Sequence, residues 1–217
     1  MIRNPAPSEL LLDYASGTLA EGPALLVASH LAYSEEARAD VAALEAVAGD
    51  MLASMPAEVL PDDALARTLA RIDAEPASAP TSPPKDDAMR VVGTAIPTPL
   101  RRYLPEGAHW QAALGGFEEI ELPLRDNSYR ATLIRMAAGR GLPAHRHAGS
   151  EYTLVLAGGF SDGHGRFDRG DICVADPSVE HKPVADHDQP CVCLVVAEAP
   201  VRLTGFFGRL LNPFLKR

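Results

Sequence analysis

Gly139, His145, His147, Glu151 and Gly158 stand at the spacing G-x5-H-x-H-x3-E-x6-G. Successive side chains of a strand alternate faces, so in extended backbone His145 and His147 project to the same side. Two neutral imidazoles and a carboxylate converging on one cavity make a mixed nitrogen and oxygen donor set suited to Zn, Fe, Mn, Ni or Cu. A fourth donor is needed. His181 supplies it if the turn-and-strand segment Gly170-Asp-Ile-Cys-Val-Ala-Asp-Pro177 that precedes it lies on a neighbouring strand. With seven histidines in the chain, one H-x-H is unsurprising by itself; the weight comes from the Glu and both framing glycines matching as well. One divalent transition metal is therefore expected, held by His145, His147, Glu151 and His181, with zinc foremost and Fe, Mn or Ni as alternatives. The competing reading is a barrel that keeps the pattern around no ion.

The pattern resembles the first motif of the cupin superfamily, which implies an antiparallel β-barrel of the jelly-roll type. The second cupin motif, G-x5-P-x-G-x2-H-x3-N, is matched loosely: Pro177 falls one place late after Gly170, Val179 replaces the inner glycine, and Ala185 stands where Asn is usual.

The elements that position these residues divide the chain in two. Before residue 75 the apolar residues recur at helical spacing, with Leu10, Leu11, Leu12 and Tyr14, then Leu25, Leu26 and Leu31, then Val41, Leu44, Val47 and Met51, then Leu65, Leu69 and Ile72. Helices are expected over 8–16, 21–32, 34–54 and 62–74, with Ser8 capping the first, Ser34 the third, and Asp62 or Asp63 opening the fourth. Residues 75–87 carry Pro76, Pro80, Pro83 and Pro84, which deny the chain regular hydrogen bonding and read as an extended linker. From 88 to 217 the pattern is short strands between turns: 110–114, 117–122, 129–136, 152–156, 171–175, 191–197 and 202–206, a small antiparallel barrel. The expected architecture is α+β with two domains, a helical one over 1–74 and a barrel over 88–217.

Charge follows the same division. Residues 1–87 hold 15 acidic and 5 basic residues, while 88–217 hold 14 and 15. An acidic surface on the helical part disfavours direct nucleic-acid binding and suits a basic protein partner, or is only solvated. No apolar run nears about 18 residues and Met1-Ile-Arg-Asn-Pro5 has no apolar leader, so a cytoplasmic protein without a membrane span is expected. Cys173, Cys191 and Cys193 contain no C-x-x-C, which argues against a disulfide scaffold or zinc knuckle. Cys191 and Cys193 share a strand face, as small buried residues or as a redox-sensitive pair, and strand neighbours are badly placed for an unstrained disulfide. The apolar run Phe206–Arg217 is expected to pack on the barrel or on a second copy in a homodimer.

Taken over nearly the whole chain, the sequence is similar to the ChrR family of anti-sigma factors. The resemblance is carried by Ser8-Glu-Leu-Leu-Leu-Asp-Tyr-Ala-Ser-Gly-Thr-Leu19, Ala28-Ser-His-Leu31, His145-Arg-His147, Glu151-Tyr-Thr-Leu-Val-Leu156, Gly170-Asp171, Glu180-His181, Cys191-Val-Cys-Leu194 and Leu210-Leu-Asn-Pro-Phe214. It implies a helical anti-sigma domain that grips an extracytoplasmic-function (group IV) sigma factor, and a cupin domain needed for release when singlet oxygen or organic hydroperoxide appears. One departure is large. The family's zinc anti-sigma domain carries H-x3-C-x2-C, whereas here His30 is followed by Ser34 and Ala37, so no structural zinc is expected and His30 reads as a surface or packed histidine. Two function classes stay open: a regulator that is not an enzyme, and a mononuclear cupin metalloenzyme (oxygenase or isomerase) with a helical appendage. For the second, Arg135, Arg146, His164 and Lys182 could line the site mouth and favour an anion, or be solvated charges.

Overall fold

The protein is described here by a computed structural model covering residues 2–75, 93, 95–113, 116–199 and the backbone of 202–203. Most of the expected linker and the run Phe206–Arg217 lie outside the described residues.

Six strands form an antiparallel sheet in the order β1 (Gln111–Ala112), β2 (Glu118–Leu122), β3 (Arg130–Met136), β11 (Cys191–Ala197), β5 (Glu151–Ala157) and β8 (Ile172–Ala175). The opposite wall of the barrel is two small sheets, β10 (Val184–Ala185), β6 (Gly159–Ser161), β7 (Arg166–Asp168), and β12 (Arg202–Leu203), β4 (His145–Arg146), β9 (Glu180–His181). The central strands read as near-continuous apolar runs because both faces are covered. Alternation still sorts them. Leu133, Leu154, Leu156, Val192, Leu194 and Val196 face outward into one core, whereas Met136, Val155, Cys173, Cys191 and Cys193 face the barrel interior. There Phe160 and Phe167, paired across β6 and β7, stack at 4.9 Å.

The outward core is completed by helices. Helix α1 (Ser8–Ala15) contributes Leu10 and Leu11, α2 (Glu21–His30) Leu25, Leu26 and Val27, the start of α3 (Glu35–Ser54) Ala37 and Val41, and the short α5 (Thr98–Arg101) Leu100. The helices pack on one another and share one core with the barrel. At Gly22 the approach is so close that an added Cβ would lie 2.9 Å from Val196 and 3.0 Å from Tyr129. Beyond Leu44 the outer sheet face is left behind. Val47, Met51 and Leu52 on α3, Met55 just past its end, and Leu65, Leu69 and Ile72 on α4 (Ala64–Ala74), are exposed although their spacing is amphipathic.

Polar contacts fix the docking. Glu21 accepts from Tyr103 Oη–H and from the Arg125 and Asp126 amides, and Asp126 returns the bond by accepting from Glu21 N–H at 3.0 Å. Asp126 thus caps α2 from the barrel, because Ala20 at the cap position cannot. Buried Asp171 accepts from the amides of Arg3 (2.7 Å), Asn4 (3.1 Å) and Asp168 (2.9 Å), and Ile172 N–H donates to Asn4 O, adding the amino-terminal arm to the edge of β8. His30 is packed, not exposed. Its Nδ1–H donates to Gly170 O (2.9 Å) and its Nε2 accepts from Ala6 N–H (3.3 Å), so the ring is neutral and both nitrogens are engaged. Burial lowers its pKa, while the Gly170 carbonyl and the Asp171 charge oppose that shift.

The caps partly match expectation. Ser34 Oγ accepts from Ala37 N–H at 3.0 Å, so the two positions that carry Cys in the family motif are joined by a hydrogen bond that starts α3. Ser8 caps nothing: Pro7 precedes the helix and its carbonyl takes the Leu10 and Leu11 amides. Asp63 occupies the cap position of α4, but its carboxylate faces Arg67 at 3.8 Å and makes no side-chain cap.

Leu26→Ala is expected to cost about 2–5 kcal/mol in denaturant unfolding, whereas exposed Leu52→Ala should stay within about 0.5 kcal/mol. Because His30 is held neutral with its pKa below 6.5, the folded state binds fewer protons than the unfolded chain. Its contribution is full above about pH 6.5 and is lost as pH falls through that value towards the lower folded pKa. At equal metal loading, the parent should lose more stability from pH 8 to pH 5 than His30→Gln.

Candidate metal centre

The H-x-H segment enters the barrel through β4, where His145 is paired directly with His181 on β9. Alternation turns their neighbours outward, and Arg146 and Glu180 form an exposed ion pair at 2.9 Å on the barrel surface. His147 follows β4 and is 4% exposed; Glu151 opens β5 on the inner face of the large sheet and is 6% exposed. Gly139 and Gly158, which frame the motif, both adopt φ 68°, a left-handed turn conformation that glycine adopts without strain.

All four expected residues converge, their donor atoms within 4.8 Å of one another. The three rings meet edge to face with centroids 4.5–5.0 Å apart. Hydrogen bonding fixes two tautomers. His145 Nδ1–H donates to Pro143 O (2.8 Å) and His181 Nδ1–H to Asp162 Oδ2 (3.1 Å), so each turns an Nε2 lone pair inward. Those Nε2 atoms are 3.0 Å apart, and His147 Nε2 is 2.9 Å from that of His181. Lone pairs facing one another at that distance repel unless a cation sits between them, and donors sharing one ion with bonds of about 2.0–2.1 Å lie about 3 Å apart. His147 Nδ1 is buried 3.2 Å from Glu151 Oε2 but too misaligned for a hydrogen bond. Burial raises the Glu151 pKa, yet the His147 contact and the surrounding imidazoles outweigh it and hold the carboxyl below its usual value; burial lowers that of His145. The buried set of three imidazoles and a carboxylate is compatible with a divalent transition metal.

The remaining expected residues do not join the site. Arg135 lies on the outer face of β3, paired with Glu118 at 2.7 Å and stacked over Trp110 at 4.5 Å. Arg146 is engaged by Glu180, His164 Nε2 lies 3.3 Å from the Glu180 carbonyl, and Lys182 is exposed. Cys191 and Cys193 come closer than strand spacing suggests, with sulfurs 3.5 Å apart where β11 shifts register against β5. They are buried, and the Cys191 contact and burial hold the Cys193 thiol well above its usual pKa; burial pushes that of Cys173 up to about 12. Asp162 escaped the sequence reading, its only local signal being the turn Asp162-Gly-His-Gly165.

Residues 103–201 match the family model of the ChrR cupin-like domain. Over 221 aligned residues the chain is 36% identical to the anti-sigma-E factor ChrR of Cereibacter sphaeroides, with 99% of each chain covered. The fold is similar to a chain in the crystal structure of Rhodobacter sphaeroides SigE in complex with the anti-sigma ChrR, with TM-score 0.73 and 35% identity over 91% of this chain and 99% of that one. Among the described residues no helix is long and apolar enough to cross a membrane.

Elemental analysis of the purified protein should find about one transition metal ion per chain. His181→Ala and Glu151→Ala should lose it, whereas His30→Ala should retain it; metal that persists in both ligand variants would place the ion elsewhere.

Proposed function

Since the chain belongs to the ChrR family of anti-sigma factors, we propose that it sequesters an extracytoplasmic-function (group IV) sigma factor in the cytoplasm. Residues 1–74 act as the gripping unit, 75–87 as the linker and 88–217 as a metal-bearing cupin that responds to oxidants such as singlet oxygen or organic hydroperoxide. The observation that carries this reading is similarity over essentially the full length to ChrR, a protein seen in complex with SigE. It contacts no nucleic acid directly.

The helices supply what such a grip requires. Met51 and Leu52 on α3, Met55 just past it, and Leu65, Leu69 and Ile72 on α4 are half exposed or more, an unusual cost for a free surface. Burying one such side chain against a partner stabilises the complex by about 1.5–3 kcal/mol. Acidic residues around them favour a partner with a basic face and speed its encounter.

His145, His147, Glu151 and His181 would hold the ion. When bound it supplies a Lewis-acidic position open to a peroxide oxygen. The chain's own part is to couple that site to the helices. Glu151 lies on the inner face of β5, while the next residues on that strand, Tyr152 and Leu154, belong to the core that α2 completes. A displaced Glu151 therefore moves a strand on which α2 rests. Arg135 and Arg146, the cations that could have marked the entrance for an anionic substrate, are paired with glutamates, which favours regulation over the enzyme reading.

Capture from cells at low ionic strength should recover a sigma factor in about equal amount with this protein, with association slowing as salt rises; recovery of none would count decisively against the proposal. Oxidant-induced release should vanish in Glu151→Ala and His181→Ala and persist when Cys191 and Cys193 are both Ser. The reverse pattern would assign the response to thiols.

A further inference from the structure

Asp162 is a buried carboxylate used neither by the helix contacts nor among the four expected ligands. It sits between β6 and β7 with its side chain 1% exposed. Its Oδ1 accepts from the amides of His164 (2.8 Å) and Gly165 (3.1 Å), and its own N–H donates to Gly165 O (2.9 Å), so the turn locks the carboxylate in one orientation. That leaves Oδ2 aimed inward, 3.1 Å from His181 Nδ1. The three rings are oriented by different means. A backbone carbonyl holds His145, no hydrogen bond holds Nδ1 of His147, and a carboxylate holds His181.

We propose that Asp162 is a positioning residue of the metal centre, resting on the reading of that site given above. It fixes His181 with hydrogen on Nδ1 and the lone pair of Nε2 towards His145 and His147. It makes that nitrogen a stronger donor, as carboxylates behind metal-bound histidines do. With Glu151 it places two carboxylates beside three imidazole rings, the charge that a divalent ion balances.

Asp162→Asn separates this role from a structural one. The Asn carbonyl still accepts the His164 and Gly165 amides, so the turn is retained, while its NH2 now faces His181 Nδ1 and favours hydrogen on Nε2, the nitrogen aimed at the ion. Zn2+ titration of the metal-free protein against a chromophoric chelator should show affinity weakened about 10–100-fold, with Asp162→Glu recovering part of it. The 15N shifts of the His181 ring in the metal-free protein should report the Nδ1–H form in the parent and its loss in Asp162→Asn. Parental affinity in Asp162→Asn, or an unchanged His181 tautomer, overturns the proposal. Should the parent itself take up no Zn2+, the metal reading fails, and the ring shifts still decide whether Asp162 governs His181.

Discussion

Neither face of the six-stranded sheet meets water over its central strands, and that constraint organises the molecule. Strand alternation assigns the buried residues of β3, β5 and β11 to one of two compartments. The inner compartment holds Glu151, Cys173 and the paired thiols; the outer one holds Leu133, Leu154, Leu194 and Val196 against α1, α2 and α5. Close-packed interiors transmit displacement because they have little free volume to absorb it. A single layer of backbone therefore separates a polar cluster of metal-ligand type from the helices.

The amino-terminal helices are held in place without the thiolates that the family motif supplies. Where Cys residues would stand, Ser34 and Ala37 make a cap of the kind worth about 1 kcal/mol. His30 turns instead to the Gly170 carbonyl, and Asp126 and Asp171 complete the exchange of backbone donors. These contacts lie at the boundary of the helical segment with the barrel, so the two halves stabilise each other.

Much of this was legible in the residues, for identifiable reasons. The four expected ligands could be named because H-x-H and Glu151 lie within one local motif and His181 follows a second turn-and-strand signal. Strands β3, β5 and β11 were legible because seven residues establish a period, whereas β4, β9 and β10 have two residues each and leave none. Periodicity marked the apolar sides of α3 and α4 but not what covers them; the same spacing describes Leu11, buried to 4%, and Leu65, 71% exposed. Asp162 was hidden because its partner lies 19 residues away, and His30 because its two partners lie 24 and 140 residues away.

Those separations bear on how the chain is made. Asp171 follows Arg3, whose amide it accepts, by 168 residues. At a synthesis rate of about 5–20 residues per second the first turns of the protein leave the ribosome on the order of 10–30 s before that acceptor does. During that interval α1 and α2 have neither the Gly170 carbonyl nor the outer sheet face that completes their core. Closing so long a loop costs entropy before any contact compensates for it. The helical half is therefore completed last although it is translated first, and quality control at the ribosome would meet it as an unfinished surface until the barrel arrives.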